Sequence, residues 1–185
     1  MNSSERNDAN PSSELEENLE ILRQTYFFSG LPLETLKVFA YLCTRDRFKK
    51  DEYIFRQHEE DGRAFYIISG KAILERQDND TTKKIRNCVT GEFLGGLTLL
   101  GEVRRLFSLK AAEDTICLVL EREKFTKALE QFPNIMPRIF KAVAKNIDSW
   151  EERFLADRAL KEGLIGILPW QKIKFHLNSK VNYPS

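Results

Sequence analysis

Histidine is nearly missing from this chain: His58 and His176 are the only two in 185 residues, and cysteine is limited to Cys43, Cys88 and Cys117. That stock assembles neither a metal-ligand spacing nor a Cys/His nucleophile pair from sequence neighbours, so metal-assisted and covalent catalysis have little to work with. The three cysteines are odd in number, widely separated and set in apolar or strand-like text, and they read as reduced, buried thiols, not as a disulfide frame. Long apolar runs are lacking too. The longest candidates, at 116–120 and 163–170, fall far short of the roughly 20 residues that a bilayer span requires. Nor does one sign of charge dominate. With 29 Lys+Arg against 28 Asp+Glu the net charge is +1, so nothing global draws the chain to nucleic acid or to an anionic membrane, and any electrostatic site has to be local. The polar N-terminus MNSSERNDANPSSE has no secretory apolar core, and a cytoplasmic protein is expected.

What is present is ample core material: 42 % hydrophobic and 31 % charged residues, enough for one domain of ordinary size with appendages. Residues 1–13 have no apolar period and read as a flexible tail. From Ser13 the text SELEENLEILRQ carries a Ser cap followed by Leu15, Leu19, Ile21 and Leu22 at roughly helical spacing, which predicts a helix ending near Gln24. Gly30 breaks the chain. Pro32 opens a second helix whose Leu33, Leu36, Val38 and Phe39 are expected to face a core.

Between 44 and 121 the period becomes strand-like, with short runs at 47–48, 53–55, 65–68, 72–74, 84–89, 107–110 and 116–120. Turn text separates them at the 8–12-residue spacing expected of a small antiparallel barrel or sandwich. One passage interrupts the pattern: in GEFLGGLTLLGEVRR, at 91–105, four glycines surround a short apolar segment. After Glu121 helical spacing returns in REKFTKALEQF, and beyond Pro133 a long run to about Lys161 places Ile135, Ile139, Val143, Ile147, Trp150 and Phe154 on one stripe. The fold class expected is mainly β with flanking helices: a tail at 1–13, the β body with its helices at 14–133, a long C-terminal helix at 134–162 and a second tail at 163–185.

These parts resemble, in order, the cyclic-nucleotide-binding domain family, the β-roll module of catabolite-activator regulators, protein-kinase regulatory subunits and gated channels. The resemblance runs over roughly 22–155 and rests on YIFRQHEEDGRAFYIISGKAIL at 53–74, the cassette GEFLGGLTLLGEVRRLFSLKAAEDT at 91–115 and LVLEREKF at 118–125. It implies a jelly-roll-like β-roll. It also implies that a cyclic phosphate would meet backbone N–H groups and one guanidinium, with glycines allowing close approach. In the family the pattern runs approximately Phe-Gly-Glu-Leu-Ala-Leu and then Pro-Arg-Ser/Thr-Ala, the Glu accepting from the ribose 2′-hydroxyl and the Arg holding the phosphate.

On that resemblance the candidate ligand-binding residues are Phe93, Gly95, Gly96, Leu97, Thr98, Arg105 and Leu106. Phe93, Gly95, Leu97 and Leu99 keep the pattern and Arg105 falls at the arginine position. Gly96 stands where the ribose-binding Glu belongs, Leu106 where a hydroxyl residue assists, Phe107 where a small residue sits, and Arg104 where Pro occurs. Glu102 is either a substitute carboxylate or a partner for Arg104. The turn His58-Glu59-Glu60-Asp61 reads as a solvated acidic turn more than as a metal cluster, and Trp150 and Phe154 as packing more than as a lid over a ligand base.

Two functions follow from the resemblance. One is a stand-alone regulatory module that senses a cyclic nucleotide (cyclic AMP or cyclic GMP) or another small anionic ligand and signals through its C-terminal helices. The other is a degenerate interaction scaffold whose pocket Leu106 and Phe107 close. No catalytic constellation is visible. The short tail with Lys172, Lys174 and Lys180 leaves no room for a DNA-binding module, so the partners expected are a protein and a second copy of the chain through the long helix, without DNA or membrane.

Overall fold

The computed structural model describes residues 11–79 and 81–161. The chain divides into two compact units after Ala142, and the first carries the cassette. Helix α1 (Pro11–Gln24) starts two residues before the expected Ser13 cap, and its Asn18 and Leu22 are buried. A one-turn 3-10 helix (Tyr26–Phe28) then sends Phe27 and Phe28 inward. Helix α2 (Leu33–Leu42) buries Thr35, Leu36, Phe39 and Ala40. Leu33, expected in the core, is exposed on the helix's first turn, and Val38 is only half-buried. The 3.6-residue period that puts Leu36, Phe39 and Ala40 inward rotates Leu33 to the edge of that face.

Eight strands follow: β1 (Thr44–Phe48), β2 (Tyr53–Phe55), β3 (Arg63–Ser69), β4 (Lys71–Asp78), β5 (Thr81–Val89), β6 (Phe93–Leu94), β7 (Ser108–Ala111) and β8 (Thr115–Glu121). They form two antiparallel four-stranded sheets, ordered β1-β8-β3-β6 and β2-β7-β4-β5. Alternation sets the inner face: along β3, Phe65 and Ile67 are buried, and along β8 Cys117 and Val119 are, with Phe65 opposite Val119 and Ile67 opposite Cys117 in register. Ile54, Phe55, Ala72, Cys88 and Leu109 complete this core. Strand β5 begins earlier than its apolar text, because the hairpin from Asp78 to Thr81 carries pairing out into the polar Thr81–Lys84 stretch.

Between β6 and β7 lies the short helix α3 (Gly96–Leu100), and after β8 come α4 (Arg122–Gln131), a 3-10 turn (Pro133–Ile135) and α5 (Met136–Lys161). A second core joins the helices of the first unit. Phe27, Phe28, Phe39, Phe93 and Phe125 meet ring to ring, with centroids 5.1–6.0 Å apart. Ile135 and Ile139 are buried, whereas Ile147, on the same expected stripe, is exposed. The Trp150 and Phe154 side chains and the tail at 163–185, with its lysines, lie outside the described residues.

Candidate functional site

The glycine text of the cassette acquires its shape at Gly95. Its φ of +81° lies in the left-handed region, which glycine adopts without strain, and this turns the chain from β6 directly into α3. A β-carbon here would fall on Arg105 Nη1 and stand 2.9 Å from the Arg63 carbonyl, so only a residue without a side chain lets the guanidinium lie against this backbone.

Arg105 is therefore an internal residue, 6 % exposed. Its Nη2 donates to both carboxylate oxygens of Asp61, at 2.7 and 3.0 Å, and to the Arg63 carbonyl. The guanidinium carbon lies 4.1 Å from the Phe55 ring centroid and 5.6 Å from that of Phe65. Burial pulls its pKa below the ordinary arginine value, and the Asp61 charge opposes that shift. Its Nε is buried without an acceptor. Backbone bonds lock the same pair of segments: His58 N–H donates to the Arg105 carbonyl and Arg105 N–H to the Glu59 carbonyl, both at 2.8 Å.

The acidic turn is thus not merely solvated. Asp61 neutralises Arg105, Glu60 pairs with Arg122 at 3.5 Å, and the Gly62 carbonyl accepts from the Arg122 N–H at 2.7 Å. Arg122 also donates to the Gly101 carbonyl at 2.7 Å, which ties the end of α3 to the start of α4. No group of three or more metal-ligating side chains occurs among the described residues. Sequence reasoning missed Asp61 because its partner is 44 residues away. The available signal was an acid beside a glycine, in a chain whose charges otherwise balance.

The remaining candidates separate into inward and outward groups. Phe93 is half-buried among the rings of Tyr26, Phe27 and Phe28. Gly96 is buried, and a β-carbon on it would stand 2.8 Å from the Phe93 ring and 2.9 Å from the Phe27 ring, so the position that lacks the ribose-binding carboxylate also lacks room for one. Thr98 is buried with its hydroxyl within 2.8 Å of the Arg63 carbonyl and 2.7 Å of the Gly95 carbonyl, where it braces the same backbone that Arg105 contacts. Leu97 and Leu106 are exposed, Leu106 at 66 %, so Leu106 does not fill a pocket; Phe107 is half-buried. Glu102 and Arg104 are both exposed, and the acids that pair with arginines here are Asp61 and Glu60 instead.

Two antiparallel sheets with flanking helices, and a short glycine-led helix beside a buried arginine, define a β-roll. Residues 45–132 match the family described as cyclic nucleotide-binding domain. Human cGMP-dependent protein kinase 2 is 26 % identical over 148 residues, which cover 78 % of this chain and 19 % of the kinase. The chain therefore spans about a fifth of that relative's length. Among solved structures, Thermus thermophilus catabolite activator protein superposes with a TM-score of 0.55 at 26 % identity, over 77 % of this chain and 63 % of the other. A cyclic nucleotide-binding-like protein from Brucella abortus gives 0.58 at 24 % identity, over 62 % of this chain and 98 % of its own length.

Proposed function

We propose that this chain is a regulatory module whose cassette, centred on Gly95, Thr98 and Arg105, takes a small anionic ligand of the cyclic-nucleotide class through its phosphate. The observation that carries this reading is the guanidinium of Arg105 lying directly against the left-handed Gly95, a cationic group beside backbone that only glycine leaves uncovered. The family match over residues 45–132 supports it; the regulatory domain of Toxoplasma gondii PKA, whose structure was determined with cAMP, shares the fold. With glycine at position 96 the ribose has no carboxylate to meet. Loss of a hydrogen bond to a charged group costs about 1.5–3 kcal/mol, or roughly ten- to a hundred-fold in affinity, so recognition rests on the phosphate.

The output would travel through Arg122, which touches Gly101 at the end of α3 and opens α4. A ligand shifts such a module only by its differential affinity for two arrangements. A cytoplasmic setting, a protein partner and self-association through the long helix belong to the same proposal, with no role on DNA. The scaffold alternative gains nothing from Leu106, which faces outward.

The test is calorimetric titration with cyclic AMP, cyclic GMP and cyclic di-GMP, alongside Arg105→Ala. Saturable heat with at least one of them, lost in the variant, is the expected result. Absence of heat and of any thermal shift with all three would overturn the reading in favour of the scaffold.

A further inference from the structure

We infer that Asp61 is a built-in counter-ion that occupies Arg105 in the place of a ligand, so that an anion enters the cassette only by displacing a carboxylate of the chain itself. The inference rests on the reading that the cassette takes a small anion. Three observations carry it. First, Asp61 is the acid that forms an ion pair with Arg105 among the described residues, and the pair is shielded from water, with the arginine side chain 5 % and the aspartate side chain 12 % exposed. An unpaired guanidinium at such a site would be costly, so some anion must sit there, and in this structure the chain supplies it.

Second, the carboxylate is a poor match for the guanidinium. Strong carboxylate and phosphate recognition uses two parallel N–H groups of the arginine fork. Here both Asp61 oxygens converge on Nη2, at 2.7 and 3.0 Å, while Nε is buried with no acceptor at all. A phosphate brings additional oxygens and can satisfy Nη2 and Nε together, which gives a ligand the advantage it needs over Asp61.

Third, the acid can leave by rotation of its side chain alone. The backbone of its turn is held by the His58–Arg105, Arg105–Glu59 and Arg122–Gly62 bonds, whereas the carboxylate has one further hydrogen bond, from the Arg63 N–H at 3.2 Å, and the neighbouring residues 58–60 are exposed. The rest of the cradle is fixed by strands and by the Thr98 and Gly95 contacts. Displacement therefore moves the acid and leaves the arginine in place.

The experiment titrates the full chain with inorganic phosphate and, in a separate arm, with cyclic AMP, for wild type, Asp61→Asn and Asp61→Asn/Arg105→Ala. Asp61→Ser is a second variant, since asparagine keeps an oxygen with which to hold the guanidinium. The expected result is phosphate affinity at least about tenfold higher in Asp61→Asn or Asp61→Ser than in wild type, abolished when Arg105 is also removed. Phosphate affinity in both single variants no higher than wild type overturns the inference. Wild type taking cyclic AMP as tightly as Asp61→Ser also overturns it and leaves the proposed function standing. Arg105-dependent phosphate binding in the single variants, with no cyclic AMP binding by any form, upholds the inference and removes the nucleotide from the proposed function.

Discussion

Phe27, from the 3-10 turn after α1, packs against Gly96 so closely that a β-carbon there would stand 2.9 Å from its ring. The 3-10 turn between α1 and α2 therefore covers the position where the resemblance implies a ribose-binding acid. Restoring that acid is expected to fail. Gly96→Ala overpacks the contact and costs about 1–3 kcal/mol in urea denaturation, and Gly96→Glu costs more because it also carries a carboxylate into an aromatic cluster. Cyclic-nucleotide affinity does not rise in Gly96→Glu; a folded variant with tighter binding would contradict this packing.

The Asp61–Arg105 pair also contributes to stability in an asymmetric way. Asp61→Ala strands a buried guanidinium and is expected to cost about 3 kcal/mol. Arg105→Met keeps apolar contact with Phe55 and Phe65 and, combined with Asp61→Ala, leaves no unpaired charge. The double variant should be more stable than Asp61→Ala alone, with a coupling energy above about 1 kcal/mol in a double-mutant cycle. Strict additivity of the two changes would show that the pair carries no interaction energy.

Two left-handed glycines separate backbone strain from collision. At Gly30, φ is +78° and a β-carbon would meet nothing within 4 Å, so Gly30→Ala should lose only the conformational cost of about 1–2 kcal/mol. At Gly70, φ is +93° and the β-carbon would stand 2.6 Å from the Asp114 carbonyl oxygen and from the Thr115 hydroxyl. Gly70→Ala should therefore be clearly more damaging than Gly30→Ala, read as the difference in thermal midpoint, and equal losses would exclude the collision.

Alkaline pH should weaken the fold through Cys117. This residue is 0 % exposed, and burial pushes its thiol up to about 12 from an ordinary value of 9.0. Above about pH 9 the unfolded chain releases this proton while the folded chain keeps it. The unfolded state then binds fewer protons, and the thiol's contribution, complete below pH 9, is lost progressively toward pH 12. The slope is about 1.4 kcal/mol per pH unit at most. Urea midpoints measured at pH 8, 9 and 10 should fall less steeply in Cys117→Ala than in wild type; parallel slopes would assign the alkaline loss to other groups.

Much of the architecture was legible before any coordinates, because periodicity and turn chemistry act locally. Tyr53–Phe55 is a strand as read and α1 ends at Gln24 as read, whereas the glycine-rich passage, read only as an interruption, holds the short strand β6 and the helix Gly96–Leu100. The family resemblance, carried by contiguous motifs, was legible for the same reason. Burial was read less well where a helix face meets an edge: Leu33 is apolar text on α2 yet remains in solvent, because a period specifies a face and not where the partner surface stops. Arg105 could be found from its offset in the cassette, but whether it was vacant or occupied could not, since Asp61 reaches it only when β3 and the cassette loop are brought together across 44 residues. The same holds for Phe27 over Gly96 and for the Thr98 hydroxyl turned toward Arg63. By itself the sequence determined the N-terminal and C-terminal helices, the longer strands and the module they resemble, but not β6 or the short helix after it. Only the tertiary structure decided which charge meets the arginine and which ring covers the glycine, because those depend on packing between segments that no local period encodes.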